Sequence, residues 1–291
     1  MALVTTAELV EAAAERGTGV AAFNVITLEH AEGIAAGAES AGVGAILQIS
    51  QNAVAFHGGR IEPIARATAA VAAASTVPLA LHLDHVEDDD LLRQAADAGF
   101  SSAMYDAGAL PYADNVARTR AAADWAHAHG LWLEAELGHV GGKAGQPQSA
   151  HAAGVRTDPD EAREFVDATG VDALAVAVGS SHAMTSRTAS LDAELVGALH
   201  AAVPVPLVLH GSSGVPDDEL IAAIRAGITK VNIGTALNVA MTKAVRASLV
   251  DEKMVDPRKY LAPARTEIAA TVQNLLSVVS SGGQWSVGTD H

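Results

Sequence analysis

The chain has 291 residues, none of them cysteine, and a net charge of −16. Any metal site must therefore rest on His, Asp or Glu, and Lys and Arg scattered without a basic stripe argue against nucleic acid or an anionic membrane as partner. Hydrophobic residues make up 49% but aromatics only 3%, so the expected interior is Ala, Val, Leu and Ile in close helix-on-sheet layers.

Residues 1–8 lack the basic-then-apolar order of a signal peptide, and no uncharged apolar run reaches bilayer length; the expectation is a cytoplasmic protein. Thr5 or Thr6 caps a first helix, with Glu8 and Glu11 early in it. Short β-type runs then alternate with helical stretches. Strands are expected at 20–24, 45–49, 79–84, 101–105, 131–137, 173–178, 206–210 and 229–233. The intervening helices are expected at 28–41, 61–74, 91–98, 112–129, 158–168, 191–201, 217–225 and 236–250. Eight βα units predict a (β/α)8 TIM barrel, with 256–280 as an appended C-terminal helical segment. Residues 1–280 then form one domain and 281–291 a flexible tail. A doubly wound open sheet competes, but no glycine-rich dinucleotide fingerprint follows the first strand. The Gly-, Ala- and Gln-rich stretch 138–156 breaks the rhythm and has the length of a functional loop.

Active sites of such barrels lie at the C-terminal ends of the strands. Those ends carry Asn24, Gln48 and Ser50, Asp84 and His85, and Asp106, followed by Glu134 and Glu136, His182, His210 and Asn232. His85, His182 and His210 belong to strands three, six and seven; neutral imidazoles suit zinc, and three of them leave room for a substrate oxygen. A single histidine at a barrel rim is more often an ordinary hydrogen-bonded residue, but three beside carboxylates point to a metal. Asp84 is placed either to move a substrate proton or to orient a ligand. Asp106 and Glu136 either bind a second ion or are buried acids holding Asn or Lys. His82 shares strand parity with Asp84 and is expected to point into the barrel. His30, His57, His127, His129, His139 and His200 have no comparable setting. The turns around Gly211-Ser212-Ser213-Gly214 and Gly234-Thr235 join strand ends to helix starts, presenting amides and a helix dipole to an anion such as phosphate.

At these residues the chain resembles the class II, zinc-dependent ketose-bisphosphate aldolases of the fructose-bisphosphate and tagatose-bisphosphate type. The resemblance runs through Ala22-Phe23-Asn24-Val25, Leu47-Gln48-Ile49-Ser50, Leu81-His82-Leu83-Asp84-His85 and Leu133-Glu134-Ala135-Glu136-Leu137-Gly138. It continues through Asp172-Ala173-Leu174-Ala175-Val176, Leu209-His210-Gly211-Ser212-Ser213-Gly214, Lys230-Val231-Asn232-Ile233-Gly234-Thr235 and Asp256-Pro257-Arg258-Lys259-Tyr260. It implies zinc on His85, His182 and His210, and Asp84 as the acid/base for the C4 hydroxyl proton. It places Gly211, Ser213, Asn232 and Thr235 at a dihydroxyacetone-phosphate site, with Asn24, Ser50 and Ala183 around it. Asp106 and Glu136 match a second cation position, divalent or monovalent. The implied reaction is reversible cleavage of a ketose (bis)phosphate to dihydroxyacetone phosphate and an aldehyde such as glyceraldehyde 3-phosphate, by a homodimer or homotetramer. Lys230 is not needed for a Schiff base. Two alternatives are another metal-dependent sugar-phosphate epimerase or isomerase, and a non-catalytic sugar-phosphate-binding paralogue.

Two positions depart from the family pattern. Ala183 follows His182 where the family usually has Gly, and Lys143 follows Gly141-Gly142 where it usually has an acid that exchanges the C3 proton. An ordinary Lys is charged at neutral pH and has no lone pair to accept that proton, whereas His151 on the same stretch titrates near neutrality. His151 is therefore expected to handle the C3 proton. Solvent-isotope exchange at C3 of dihydroxyacetone phosphate should slow in His151→Ala; exchange at the wild-type rate would refute the assignment, and exchange restored only by Lys143→Glu would favour the non-catalytic alternative.

Overall fold

The computed structural model describes residues 3–138 and 156–281. Helix α1 (Thr6–Glu15) starts at a capping box, Thr5 accepting from the Glu8 amide while the Glu8 carboxylate accepts from the Thr5 amide. Eight strands follow: β1 (Val20–Asn24), β2 (Ala45–Ser50), β3 (Leu79–Val86), β4 (Ser102–Tyr105), β5 (Trp132–Leu137), β6 (Ala173–Val176), β7 (Leu207–Leu209) and β8 (Ile228–Ile233). They close in sequence order into a barrel, neighbours parallel, with β8 pairing back onto β1. The expected (β/α)8 barrel is the observed fold. Around it run α2 (Leu28–Ala41), α3 (Gln51–Phe56), α4 (Ile61–Ala74), α5 (Asp89–Leu92), α6 (Tyr112–Ala128) and α7 (Pro159–Thr169). The ring is completed by α8 (Ala193–Ala202), α9 (Asp217–Ala226) and α10 (Thr235–Ser248), and α11 (Pro257–Ser280) is the appended helix. Among the described residues no helix is long and apolar enough to cross a membrane.

Alternation along the strands divides two apolar regions. Outward-facing Phe23, Leu47, Leu81, Leu133, Leu174, Leu209 and Val231 join the helices in the main core. Inward-facing Val20, Ala22, Ile46 and Ala80 pack with Val10 and Ala13 of α1, so that α1 plugs the N-terminal end of the barrel. Thr6 continues the plug, its hydroxyl 2.5 Å from Ser102 Oγ, which in turn lies 2.8 Å from His82 Nδ1. The opposite end is left for chemistry.

Several segments depart from expectation. The helix expected at 91–98 is the shorter α5, because Asp88 caps it early by accepting from the Asp90 amide. Beyond it Gln94 and Ala95 bond three residues back, a tighter turn that buries Ala95, Ala98 and Phe100. Helix α3 was not expected; it is too short for a periodic signal, and Ser50 Oγ caps it through the Ala53 amide. Strands β6 and β7 stop earlier than expected; His210, expected at its strand's end, stands on the loop that follows, while His182 follows β6 as expected.

Helix α11 lies against α2 and α10. The approach to α2 is close because Gly33 and Gly37 present no side chain: a Cβ on Gly37 would sit 2.5 Å from the Ala269 carbonyl oxygen, and one on Gly33 2.6 Å from an Ile268 methyl.

Candidate active site

Inward positions change from apolar side chains at the plugged end to polar ones toward the mouth. Gln48 and Glu134 share strand faces with Ile46 and Trp132, and Gln48, Glu134 and Lys230 are all buried. Register places Asn24 beside Gln48 and Ser50 beside Asp84, and Gln48 donates to Asn24 Oδ1 at 2.9 Å.

Strand alternation should send Asp84 and His85 to opposite faces. It fails here because the β3–β4 register slips between Leu83 and Val86 and His85 takes φ +49. Such a bulge turns the strand and brings consecutive residues to the same pocket. Among the described residues only His85 and Ala183 combine a side chain with positive φ, a conformation costing about 1–2 kcal/mol for L-residues. Ala183, at φ +59 beside His182, occupies a backbone state that Gly would adopt without strain, which gives the departure at this position a physical meaning.

The nitrogens that His85, His182 and His210 offer lie within 4.8 Å of one another, and the His85 ring centroid is 4.8 Å from that of His210 and 5.4 Å from that of His182. Three imidazole donors at this spacing fit one divalent metal ion. Carboxylates stand against the same rings: Glu134 Oε1 is 2.8 Å from His210 Nε2, Glu136 Oε2 is 3.1 Å from His210 Nδ1, and Asp106 Oδ2 is 3.3 Å from His85 Nδ1. Carboxylate–imidazole contacts of this kind orient ligand histidines. Glu134 is paired with Lys230, which in turn donates to Asn232 Oδ1.

A pocket of about 900 Å³ opens above the imidazoles. Asp84, His85, Asp106, His182 and Ala183 line one part of it, and Asn24, Ser50, Gly211, Ser213, Asn232 and Thr235 the other. Gly211 has φ +67, and a Cβ there would meet the Ser181 backbone at 2.6 Å. Ser213 Oγ accepts from the Ala236 amide in the first turn of α10 at 3.0 Å. Helix α10 therefore starts at the pocket wall, where its dipole favours an anion. His210 and Glu136 lie behind the lining, at 0% and 5% exposure.

The electrostatics separate similar groups. Burial opposes ionisation of Asp84, but His85, His210, His82 and Lys230 outweigh it and hold the carboxyl below its ordinary value. Asp84 Oδ1 has no hydrogen-bond partner among the described residues. Burial opposes charge on Glu134 as well, and Lys230 and His210 overcome it, holding that carboxyl far below the usual range. Burial also opposes charge on His210, yet Glu134 and Glu136 push it up to about 9. His82 goes the other way, pushed down to about 3 by burial and then by Lys230, against the pull of Glu134 and Asp84.

Other histidines have local duties. His30 closes the cap of α2 at Thr27 and reaches Asn238, His57 bonds the Ile26 carbonyl, His127 pairs with Asp172, and His129 stacks on Trp125. His139, Lys143 and His151 lie outside the described residues. Gln51, Asn52, Glu87, Ser181 and Asn238 also line the pocket without having been anticipated. Adjacency was their only signal: Gln51 and Asn52 follow Ser50, and Gln51 Oε1 accepts from the Glu87 amide at 3.0 Å.

Fold and imidazole group together describe a class, a metal-dependent enzyme on a (β/α)8 barrel. The profile of the Fructose-bisphosphate aldolase class-II family matches residues 4–284, and the chain belongs to that family of lyases. A fructose-bisphosphate aldolase of Staphylococcus aureus is 37% identical over 276 residues, covering 94% of this chain and 96% of its own. The crystal structure of the YdjI aldolase from Escherichia coli K12 superposes with a TM-score of 0.81 at 30% identity, covering 97% of this chain and 99% of that one.

The depressed His82 has a consequence for stability. The unfolded chain takes up a proton as pH falls through the ordinary histidine value of 6.5, and the folded chain refuses it until about 3. The stability that neutral His82 contributes is thus complete above 6.5 and is lost on acidification across that window, by up to about 1.4 kcal/mol per pH unit. Urea unfolding at several pH values should show a shallower decline for His82→Asn than for wild type; equal slopes would contradict the account.

Proposed function

We propose that this chain reversibly cleaves a ketose bisphosphate to dihydroxyacetone phosphate and an aldehyde such as glyceraldehyde 3-phosphate, with zinc held by His85, His182 and His210. The observation that carries the reading is the convergence of those three imidazoles with ionised Asp84 at one barrel mouth. A divalent ion bound there supplies Lewis-acid stabilisation of the charge that develops on the ketose oxygens. Asp84 accepts the C4 hydroxyl proton as the C3–C4 bond breaks and returns it in condensation. Gly211, Ser213 and Thr235 receive the phosphate at the start of α10, and Asn232, Asn24 and Ser50 hydrogen-bond the sugar oxygens beside it. Ala183 shapes the wall next to His182. Asp106 and Glu136 are the donors for a second cation, divalent or monovalent. A cytoplasmic homodimer or homotetramer is the assembly that the resemblance implies. The family match and the aldolase relatives support C–C cleavage over epimerisation or binding without turnover.

Incubation with fructose 1,6-bisphosphate should release triose phosphate; a ketose isomer appearing instead would overturn the cleavage reading. Chelation should abolish activity and added zinc or cobalt restore it, while His210→Ala should lose most of its ion; full occupancy and full activity in that variant would remove His210 from the ligand set. Asp84→Ala should keep its ion but lose about 10²–10⁴-fold in cleavage rate. Loss of the ion together with activity would instead make Asp84 part of the metal's support.

A further inference from the structure

Below the pocket lie two charged side chains that no step above uses. Lys230 and Glu134 are each 0% exposed. Lys230 Nζ donates to Glu134 Oε2 at 2.7 Å and to Asn232 Oδ1 at 2.8 Å. The other Glu134 oxygen lies 2.8 Å from His210 Nε2. One unbroken set of contacts therefore runs from an imidazole at the metal site, through a carboxylate and an ammonium, to an amide on the pocket wall.

The chemistry of those groups gives the set a direction. An ammonium only donates, so the group that Asn232 turns toward Lys230 must be its carbonyl oxygen. The amide nitrogen then occupies the other end. Asn232 Nδ2 is buried and has no hydrogen-bond partner among the described residues, and Asn232 lines the pocket. Without the ammonium the two ends of the amide are nearly equivalent in shape, and the donor end would no longer be favoured for substrate. Lys230 itself does not line the pocket and is engaged by Glu134, which suits it to orient its neighbour rather than to attack a carbonyl.

We propose that Lys230 and Glu134 form a positioning pair: Lys230 fixes Asn232 as a hydrogen-bond donor toward a substrate oxygen, and Glu134 ties that ammonium to the imidazole of His210. Metal ligand and substrate-binding amide are thereby set by one ion pair. The inference rests on the roles given to His210 and Asn232 under the proposed function, and extends them to two residues that touch neither substrate nor metal.

The test uses the full-length protein and two binding measurements in addition to turnover. Zinc affinity of the metal-free protein is read by competition with a chromophoric chelator, and dihydroxyacetone phosphate affinity of the zinc-loaded protein by calorimetry. Lys230→Met should weaken dihydroxyacetone phosphate binding by about 10-fold or more while changing zinc affinity far less. Glu134→Gln should weaken zinc binding by about 10–100-fold, the usual cost of losing a partner behind a ligand. If Lys230→Met leaves an unpaired buried carboxylate and fails to fold, the double variant Glu134→Gln/Lys230→Met removes both charges and should still bind dihydroxyacetone phosphate weakly. A pair that is only structural would lower the melting temperature and leave both affinities at wild-type values, and that result overturns the proposal. Wild-type protein that binds neither zinc nor dihydroxyacetone phosphate overturns the functional reading itself, and is told apart because no variant is needed to see it.

Discussion

A closed parallel barrel allows each strand only alternate residues for its interior, and the space they share is narrow. Everything about this site follows from how that space is filled. Small side chains and α1 take the lower part, polar groups take the middle, and only the upper mouth has room for a ligand. The break in alternation that matters at the mouth is the bulge at His85. It lets two consecutive residues, the proposed proton acceptor and a metal-ligand candidate, serve the same pocket. A regular β3 would have carried His85 into the helix layer among Leu83 and Tyr105, where an imidazole has no use.

The interior also shows how position decides charge. His82 and His210 are the same residue type and equally buried, yet one is pushed down to about 3 and the other up to about 9. Burial acts on both in the same sense. The difference is company: Lys230 repels a proton on His82, whereas Glu134 and Glu136 clasp His210 from two sides. Glu134 stands between the two outcomes because its oxygens face Lys230 and His210. Removing one member of such a buried pair leaves an uncompensated charge, typically at about 3–5 kcal/mol, so these residues are coupled in stability as well as in geometry.

Much of this was legible in the residue order. The eight strand-like runs named the barrel, because each was followed by a helical stretch and no dinucleotide fingerprint intervened. His85, His182 and His210 could be grouped because strand number places their ends on one rim, even though 125 positions separate the first from the last (210 − 85). Less legible were features that depend on backbone state. Nothing in Leu83-Asp84-His85-Val86 announces a bulge, and α3 is too short for its pattern to be told from a loop. The partner of Glu134 was equally hidden: the residue order puts Glu134 on the fifth strand and Lys230 on the eighth but does not say that they meet. Asn238, one turn into α10 and 3.3 Å from His30, 208 positions earlier, was likewise not singled out by the residue order.

The packing of α11 on α2 bears on how the chain comes to be made. Glu32 in the first helix of the barrel ring pairs with Arg265, 233 positions away, and Gly33 and Gly37 wait for Ile268, Ala269 and Val272. β1 likewise needs β8 before its outer edge is paired. During vectorial synthesis the opening βα unit therefore emerges long before the surfaces that cover it. Its exposed strand edge and glycine-lined helix face must remain uncommitted while some two hundred further residues are added, a non-local closure of the kind that slows folding and exposes sticky surface. The two ends of the chain are thus the last to find each other, and the ribosome's pace sets how long the first of them waits.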